Sequence, residues 1–511
     1  MCTVPPFGYG IGSPVRKIST RPGRRAYHAG RMTLGHDNAG FDLAVVGAGA
    51  AGLTTALFAA QGGARVLLLE AADDIGGTLH LSHGQLSAGG TRLQASRGIT
   101  DSPDAHFADV MRLSEGLADP AVVRRAVQEA PAMVDWLLEA GLEPLADHPV
   151  TGESPGRPGY GTARYLWARG QGRDILALLR AALAPLIDDG RIRLVTGARV
   201  DGLLAGDDGG VDGVTAAIRD GGHLTARARH TVLATGGYAM ERTLLERFSG
   251  RPAYAALACP TARGDGLALV ETLGGALRGH ALHRPGTGLV LDSEGWPARV
   301  SARFITAPQL RAPWEIWVDD GGRRFVREDE PVALARERAL LALPRCRFHV
   351  VADAAILDAA PPAIEGQDRA TFESLCGTHP MFHRAATLEE LAARAGIDAR
   401  GLVDSVHTYN AAVRTGHDPL GRGHLPRPIG RPPFYAVTLH GASATSAVGV
   451  TVDEDLRVLR ADGRVIPRLH AAGEVLGSGA TLGQAFVPGM MLTPALALGR
   501  WLGRDLAAAQ R

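Results

Sequence analysis

Three glycines in the segment Gly47-Ala48-Gly49-Ala50-Ala51-Gly52 have the spacing of a nucleotide-binding turn. The apolar run 41–46 precedes them and a long apolar run follows, so the order predicts strand, turn and helix. In such a unit Gly47 permits the tight turn, Gly49 lets a pyrophosphate approach the backbone, and Gly52 lets the helix pack closely on the strand. The phosphates would lie at the helix N-terminus, where free N–H groups and the helix dipole favour anions.

An acidic residue, Glu70, ends the next apolar run, Arg65-Val66-Leu67-Leu68-Leu69-Glu70. A carboxylate at the end of that strand can accept hydrogen bonds from both hydroxyls of a ribose. A glycine pattern alone also fits a hydrophobic helix that contains several glycines, and the uncharged stretch 43–60 resembles a membrane span. The strand before the turn, the acid after it and a unit of roughly 30 residues favour an adenine dinucleotide instead.

The composition is that of an ordinary globular protein. The 511 residues are 45% hydrophobic and 21% charged, with a formal net charge of +1. No bulk electrostatic argument therefore points to nucleic acid or to an acidic membrane surface. The four cysteines are widely scattered without metal or haem spacing. We therefore expect no metal site, disulfide framework or iron–sulfur cluster, and we favour a reducing, cytoplasmic location.

The chain divides into four segments by composition and pattern. Residues 1–40 carry six basic residues and one acid among many glycines and prolines. We interpret them as a disordered tail, or as an overlong start with Met32 as the initiator. Further on, alternating strand and helix patterns predict an α/β fold. Residues 41–278 would form the first part of a split Rossmann-like domain, residues 279–445 an inserted α+β domain that caps a substrate cleft, and residues 446–511 the C-terminal part of the first domain.

Further sequence blocks occur in a fixed order along the chain. They are Asp74-Ile75-Gly76-Gly77-Thr78, Gly84-Gln85-Leu86-Ser87-Ala88, Ile99-Thr100-Asp101-Ser102-Pro103, Ala234-Thr235-Gly236-Gly237, Gly264-Asp265-Gly266, Ala471-Ala472-Gly473-Glu474-Val475 and a closing helix through Gly499-Arg500. With the glycine turn and Glu70, they resemble the soluble fumarate reductase and 3-ketosteroid dehydrogenase superfamily of FAD enzymes, relatives of the succinate dehydrogenase flavoproteins. The resemblance extends from about Phe41 to Leu506. It implies a two-domain FAD enzyme.

The resemblance also implies which residues contact FAD. Glu474 would meet the ribityl chain or the pyrophosphate, and Asp265 would lie on the flavin side; the alternatives are a capping acid and a turn residue. The helix that starts near Met490 would direct its N-terminus toward the flavin N1–C2 carbonyl, which carries negative charge when reduced. Thr78 replaces the histidine through which some relatives attach FAD, so we expect non-covalent binding. The predicted contacts are Gly47, Gly49, Ala51, Gly52, Glu70, Gly77, Thr78, Gly84, Gly236, Asp265, Glu474 and Met490.

Enzymes of this superfamily add or remove two hydrogens across a C–C bond beside a carbonyl or carboxylate. The present sequence departs from the fumarate reductases, because Val332 falls at the arginine proton donor and Phe486 at a carboxylate-binding arginine. A substrate histidine falls near Thr445, and the catalytic tyrosine of the ketosteroid branch, which would fall near Ala485 or Phe486, is also missing. Fumarate itself is therefore disfavoured, since a dicarboxylate needs bidentate arginine partners. We expect a less charged substrate, or one oriented mainly by the cap domain.

Three residues are candidates for catalysis. His283 and Arg311 match positions of the family's substrate site, and His440 precedes the return to the nucleotide-binding domain; the alternative for each is a structural role. We predict an FAD-dependent oxidoreductase, either an enoate or enone reductase or an α,β-dehydrogenase, in which flavin N5 handles the hydride. It would act on a small organic acid or ketone with a separate electron donor or acceptor, without nucleic acid or an integral membrane segment. The alternatives are a flavin oxidase or dehydrogenase acting on a C–N or C–O bond, and a redox-silent FAD-binding scaffold.

Overall fold

The structure is a computed structural model that describes residues 37–509. Met32 and most of the predicted tail lie outside the described residues, whereas residues 37–40 belong to the first strand. The strands are β1 (Asp37–Val46), β2 (Val66–Glu70), β3 (Gln85–Ser87), β4 (Tyr165–Trp167), β5 (Ile192–Thr196), β6 (Ala198–Ala205), β7 (Val211–Ile218), β8 (His223–Leu233), β9 (Leu277–Arg278), β10 (Gly286–Leu291), β11 (Val300–Arg303), β12 (Ile316–Val318), β13 (Arg347–Asp353), β14 (Phe382–Ala385), β15 (Phe434–Ala442), β16 (Gly449–Val450), β17 (Arg457–Leu459) and β18 (Val465–Ala471).

The α-helices are α1 (Ala50–Gln61), α2 (Arg92–Ser96), α3 (Pro103–Leu113), α4 (Pro120–Glu139), α5 (Gly172–Asp188), α6 (Arg242–Ser249), α7 (Asp265–Thr272), α8 (Ala333–Ala342), α9 (Ala354–Ala359), α10 (Arg369–Leu375), α11 (Leu388–Ala395), α12 (Ala399–Thr415), α13 (Ser478–Leu482) and α14 (Leu492–Ala508). Two short 3-10 helices cover Leu79–Leu81 and Glu474–Leu476.

The larger sheet joins both ends of the described chain. Its order is β17-β18-β8-β1-β2-β5, and a hairpin of β6 and β7 extends it antiparallel from β8. β1 pairs in parallel with β2 and β8, and the C-terminal strand β18 pairs in parallel with β8. Parallel strands are buried on both faces, which explains the uninterrupted apolar run of β2. The predicted split Rossmann-like α/β domain is confirmed.

A second, antiparallel sheet is formed by residues 286–442 alone. Its order is β11-β10-β15-β13-β12, and β14 also pairs with β15. On one side Leu402 and Tyr409 of α12 share a buried cluster with Val351, and on the other Leu340 of α8 packs in a cluster with Trp317. This is the expected inserted α+β unit, which we call the cap. The boundaries at residues 279 and 445 stay a prediction.

Two glycines let α14 pack directly on α1. A Cβ at Gly499 would lie 2.2 Å from the Thr54 Oγ1, and one at Gly503 would lie 2.4 Å from the Thr55 carbonyl oxygen. The two backbones therefore approach too closely for any side chain at either position. Because of this contact, the N-termini of α1 and α14 lie near the same edge of the sheet.

The uncharged stretch 43–60 is the end of β1, the glycine turn and most of α1. Residues 51–60 are all buried, because α1 packs against β1, β2, α5 and α14. A helix enclosed in this way is apolar all round without being in a membrane. Among residues 37–509 no helix has both the length and the apolar character that a membrane crossing needs.

Candidate active site

A cavity of about 320 Å³, here called the cofactor cavity, lies at the carboxyl ends of β1, β2, β8 and β18. Ligands of open α/β sheets commonly bind at this edge. Nine of the twelve predicted cofactor contacts line it: Gly47, Gly49, Ala51, Glu70, Gly77, Thr78, Gly236, Asp265 and Glu474.

The three glycines of the turn have three different surroundings. Gly47 has a φ of +100°, and a Cβ there would lie 2.4 Å from the Ala234 carbonyl oxygen. A Cβ at Gly52 would lie 1.8 Å from the Gly47 carbonyl oxygen. Gly49, in contrast, lines the cavity with nothing within 4 Å of its missing Cβ. Gly47 and Gly52 therefore shape the turn, while Gly49 leaves room for a ligand.

Glu70 is buried at the end of β2, and its carboxylate faces the cofactor cavity. Oε2 accepts a hydrogen bond from the Ala48 N–H and Oε1 accepts one from the Ala72 N–H, both at 2.8 Å. A carboxylate has about four acceptor sites, so both oxygens can still accept from a ligand hydroxyl. The arrangement fits a ribose at this end of the cavity.

Two helix N-termini face the cofactor cavity without a capping side chain. Gly49 and Met491 are the N-caps of α1 and α14, and neither helix has a side-chain cap hydrogen bond. Ala50 and Ala51 at the start of α1, and Met491 with Leu492 at the start of α14, line the cavity. Free N–H groups and the positive ends of the helix dipoles therefore favour negative charge at two points of one ligand.

Glu474 and Thr235 supply polar groups to the cavity wall. The Ser446 N–H donates to Glu474 Oε1 at 3.0 Å, and burial raises the pKa of the Glu474 carboxyl. The Thr235 hydroxyl is buried and has no hydrogen-bond partner in the described part of the chain. A buried hydroxyl without a partner is costly, so this site fits a polar ligand such as a ribityl chain.

Asp265 is the first residue of α7 and lines the cofactor cavity, and its place on the flavin side stays a prediction. Its carboxylate forms an ion pair with Arg199 of β6, although burial raises its pKa. The neighbouring residue Ala198 lines the cavity and follows Gly197, whose N–H donates to the Ala72 carbonyl at 2.8 Å. The ion pair thus joins the start of α7 to β6.

Three predicted contacts do not line the cofactor cavity. Gly52 shapes the turn, and Gly84 lies against Gln171, since a Cβ there would be 2.6 Å from the Gln171 carbonyl carbon. Met490 is fully buried in an apolar cluster with Val487. Met491 and Leu492 take its predicted place, because α14 begins two residues later than expected.

Arg311 is not in the cofactor cavity. Its Nη1 and Nη2 donate to the two carboxylate oxygens of Glu315 at 2.8 and 3.0 Å, and its Nε donates to the Pro361 carbonyl at 2.8 Å. It borders a separate cavity of about 80 Å³ inside the cap. These bonds occupy the guanidinium in a contact inside the cap and favour a structural role, and the catalytic role of Arg311 stays a prediction.

His440 is also engaged in contacts away from the cofactor cavity. It lies fully buried in β15, where its Nε2 is 3.4 Å from Glu294 Oε1 and its ring lies 4.6 Å from that of Tyr254. It does not line the cofactor cavity, and burial lowers its pKa. The structure therefore does not bring His440 to the cofactor cavity, and its catalytic role stays a prediction.

His283 stays a candidate. Its imidazole is half-buried and makes no hydrogen bond within residues 37–509, while its carbonyl accepts from the Gln484 side chain at 3.2 Å. Burial, aided by the charge of Arg284, lowers the pKa of His283 to about 4. At neutral pH the ring is therefore uncharged and can polarise a substrate oxygen only by a neutral hydrogen bond.

Several lining residues were not among the predicted contacts. Ala198 and Val200 of β6 and Leu257, Cys259 and Thr445 line the cavity. Most are small or apolar residues that carry no chemical signal in a sequence. Thr445 is the exception, because the substrate histidine of the fumarate reductases was expected to fall near this position.

Comparison with known proteins agrees with this architecture. Residues 42–485 match the family model described as FAD binding domain. A fumarate reductase (cytochrome) of Shewanella frigidimarina is 28% identical over 469 residues, covering 91% of this chain and 77% of that protein. A 4-oxocyclohexanecarboxylate 2-dehydrogenase of Sinomonas cyclohexanicum is 27% identical over 561 residues, covering 93% of this chain and 94% of that protein.

Two solved structures share the fold. The open conformation of a flavocytochrome c3 fumarate reductase has a TM-score of 0.67 and 25% identity, covering 92% of this chain and 78% of that one. The 3-ketosteroid Δ1-dehydrogenase of Sterolibacterium denitrificans has a TM-score of 0.68 and 21% identity, covering 92% of this chain and 99% of that one. The resemblance predicted from the motifs is confirmed.

Proposed function

The chain belongs to the family of FAD-binding-domain proteins, and we propose that it adds two hydrogens to, or removes them from, a C–C bond beside a carbonyl or carboxylate. It is an FAD-dependent oxidoreductase. One observation carries the proposal: a cavity with the buried carboxylate of Glu70 and two uncapped helix N-termini lies at the sheet edge. The names of two relatives contain fumarate and 4-oxocyclohexanecarboxylate. Both are small molecules with a C–C bond beside a carbonyl or carboxylate.

The chain's own residues would hold and orient the cofactor. Glu70 would accept from ribose hydroxyls, the start of α1 would bind the pyrophosphate, and Thr235 and Glu474 would meet the polar chain between phosphate and ring. The start of α14 would stabilise negative charge on the ring. When bound, FAD supplies hydride transfer through its N5. No histidine is among the described residues that line the cavity, which supports non-covalent binding.

We also propose the kind of substrate and the need for a separate redox partner. The substrate would be a small organic acid or ketone, and His283 would contact its oxygen. A separate electron donor or acceptor would complete the cycle. The described cysteines Cys259, Cys346 and Cys376 are all free thiols, which supports a reducing, cytoplasmic location.

Anaerobic mixing of the purified holoprotein with a panel of enoates, enones and their saturated forms tests the proposal. We expect at least one pair to change the flavin's visible absorption, with reduced flavin oxidised by the unsaturated member or oxidised flavin reduced by the saturated one. Reduction by amines or alcohols alone would instead identify an enzyme of C–N or C–O bonds. A flavin that no substrate or donor reduces or reoxidises at a catalytic rate would identify a redox-silent scaffold.

A further inference from the structure

Three arginines and one buried glutamate lie close together where the cap meets the nucleotide-binding domain. Arg157 comes from the loop before β4, Arg284 from the segment before β10, and Arg336 and Glu337 from α8. The Arg157 Nη2 lies 2.5 Å from Glu337 Oε1, and the Arg284 Nη1 lies 3.3 and 3.4 Å from Oε1 and Oε2. We call these four residues the arginine cluster.

Arg336 is the most buried cation of the arginine cluster. It is 4% exposed, its Nη1 donates to the Glu330 carbonyl, and its Nε has no hydrogen-bond partner among residues 37–509. Burial, together with the nearby charge of Arg157, lowers the pKa of Arg336 to about 10. Buried N–H groups are normally hydrogen-bonded, so the Nε–H of Arg336 is free to donate to a further acceptor.

The charges of the arginine cluster do not balance. Arg157 and Arg284 share the Glu337 carboxylate, while Arg336 feels the charges of Glu337 and Glu330 without an ion pair to either. The Glu330 carboxylate also accepts from the Val332 N–H at 2.9 Å. Buried cations are stable when each is paired, and three arginines with two acids leave one positive charge of the cluster without an acidic partner.

The arginine cluster adjoins the segment that enters the cofactor cavity. The Arg157 guanidinium lies 5.4 Å from the centre of the Phe486 ring, and the Tyr160 hydroxyl of the same loop donates to the Pro488 carbonyl. Phe486 is five residues, at most about 18 Å of extended chain, from Met491 on the cavity wall. The arginine cluster therefore contacts the chain segment that leads to the wall of the cofactor cavity.

The cluster also replaces charges that the sequence lacks. Phe486 and Val332 are the two positions at which arginines were expected from the resemblance to fumarate reductases. Arg157 covers Phe486, and Arg336 follows Val332 by four residues, one helical turn along α8. Positive charge is therefore present near both positions but is supplied by other residues.

We propose that Arg157, Arg284 and Arg336 form an anion subsite that binds a carboxylate of the substrate. This inference deepens the proposed function and rests on it. A carboxylate is planar and offers two oxygens to guanidinium forks, and it is one of the groups beside which the proposed reaction occurs. The substrate would accordingly carry a negative charge, contrary to the expectation from the missing arginines alone.

Titration of the holoprotein with malonate tests the subsite without turnover. Malonate has one carbon between its carboxylates and so offers no C–C bond to dehydrogenate. We expect a saturable change in the flavin's visible spectrum, no such change with neutral malonamide, and weaker binding of inorganic phosphate. A response to malonamide equal to that with malonate, tighter binding of phosphate, or no response to malonate would overturn the proposal.

Matched variants separate binding from structure. Arg157→Ala and Arg336→Ala should each raise the malonate Kd at least about 30-fold, because each removes a charged partner. Arg400→Ala on the exposed face of α12 should leave the Kd unchanged. Should an alanine variant fail to retain flavin, Arg157→Lys, which keeps the charge but not the fork, should still raise the Kd several-fold.

Glu337→Gln should change the malonate Kd in the opposite direction. Removal of the competing carboxylate should tighten malonate binding, whereas a cluster that only joins the domains would show weaker or unchanged binding. If malonate binds as expected but no enoate or enone reacts, the proposed function fails and the anion site stands. If an enoate or enone reacts but the variants leave malonate binding unchanged, the subsite alone fails.

Discussion

The carboxylate of Glu70 accepts a hydrogen bond from the Ala48 N–H, 2.8 Å away inside the glycine turn. Its second oxygen accepts from the Ala72 N–H on the far side of β2, also at 2.8 Å. One side chain thus joins the turn after β1 to the end of β2. The residue proposed to hold the ribose also fixes the turn that receives the pyrophosphate, so the two ends of this binding unit are coupled.

Glu70→Gln should weaken FAD binding by about 10-fold or more, because a charged acceptor contributes about 1.5–3 kcal/mol per hydrogen bond. Titration of the apoprotein with FAD measures this. Glu389→Gln on the exposed side of α11 is the control. An FAD Kd equal to that of the unmodified protein would show that Glu70 has only a structural role.

Gly49→Ala and Gly52→Ala should behave in opposite ways. The Gly49 backbone has a φ of −79° that alanine adopts freely, and its Cβ would meet nothing in the protein. Apoprotein stability should therefore be unchanged or slightly higher, while FAD binds about 10- to 100-fold more weakly because the methyl group occupies ligand space.

For Gly52→Ala the Cβ clashes with the Gly47 carbonyl. The free energy of unfolding of the apoprotein should fall by about 2 kcal/mol or more. Urea denaturation of both apoproteins, with FAD titration beside it, distinguishes the two cases. Loss of apoprotein stability in Gly49→Ala would show that Gly49 shapes the turn and does not make room for a ligand.

Arg311→Ala should destabilise the protein without a direct effect on the reaction. It leaves the buried Glu315 carboxylate without its bidentate partner, and breaking such a pair costs about 3–5 kcal/mol. Denaturant unfolding measures the loss, and the rate per bound flavin should stay within a factor of about three at a temperature where the variant is folded. Normal stability combined with a large loss of rate would show that Arg311 acts in catalysis.

Stability should fall as the pH is lowered from 6.5 to 4, in part because of His470. Burial, with the neighbouring charge of His230, lowers the pKa of His470 to about 4 in the folded state, whereas an unfolded histidine has a value of 6.5. The unfolded state therefore binds the proton first, and the folded state loses roughly 3 kcal/mol relative to it once the pH reaches 4. Above pH 6.5 both states are neutral and this contribution is constant.

The matched variant is His470→Asn. Its free energy of unfolding, from urea titrations at a series of pH values, should fall less steeply between pH 6.5 and 4 than that of the unmodified protein. Parallel curves would mean that His470 is protonated as easily in the folded as in the unfolded chain.

The nucleotide-binding half of the site was predictable because its information is local. Gly47, Gly49 and Gly52 lie within six residues, and Glu70 ends the next strand, so spacing alone determines their relative positions. The start of α14, at the other end of the cofactor cavity, was predicted at Met490 but lies two residues later, at Leu492. A run of apolar residues does not mark where a helix begins.

The substrate half was not predictable in the same way. Arg311 and His440 are ordinary candidates until Glu315 and Glu294 are known to engage them, and the His440 partner lies 146 residues away. The arginine cluster likewise joins the loop before β4 to α8, which are 180 residues apart in the chain. Pairing over such distances depends on how the cap folds, for His440, and on how it lies against the larger domain, for the arginine cluster, and no local pattern records either.

Titration of the apoprotein with FAD and with FMN is the most direct test of the central claim, that the cavity at the sheet edge holds a flavin dinucleotide. We predict one FAD bound per chain and binding of FMN at least about 100-fold weaker, since FMN lacks the adenosine half that Glu70 is placed to hold. Equal affinity for the two flavins, or a protein that binds neither and stays colourless, would contradict the account.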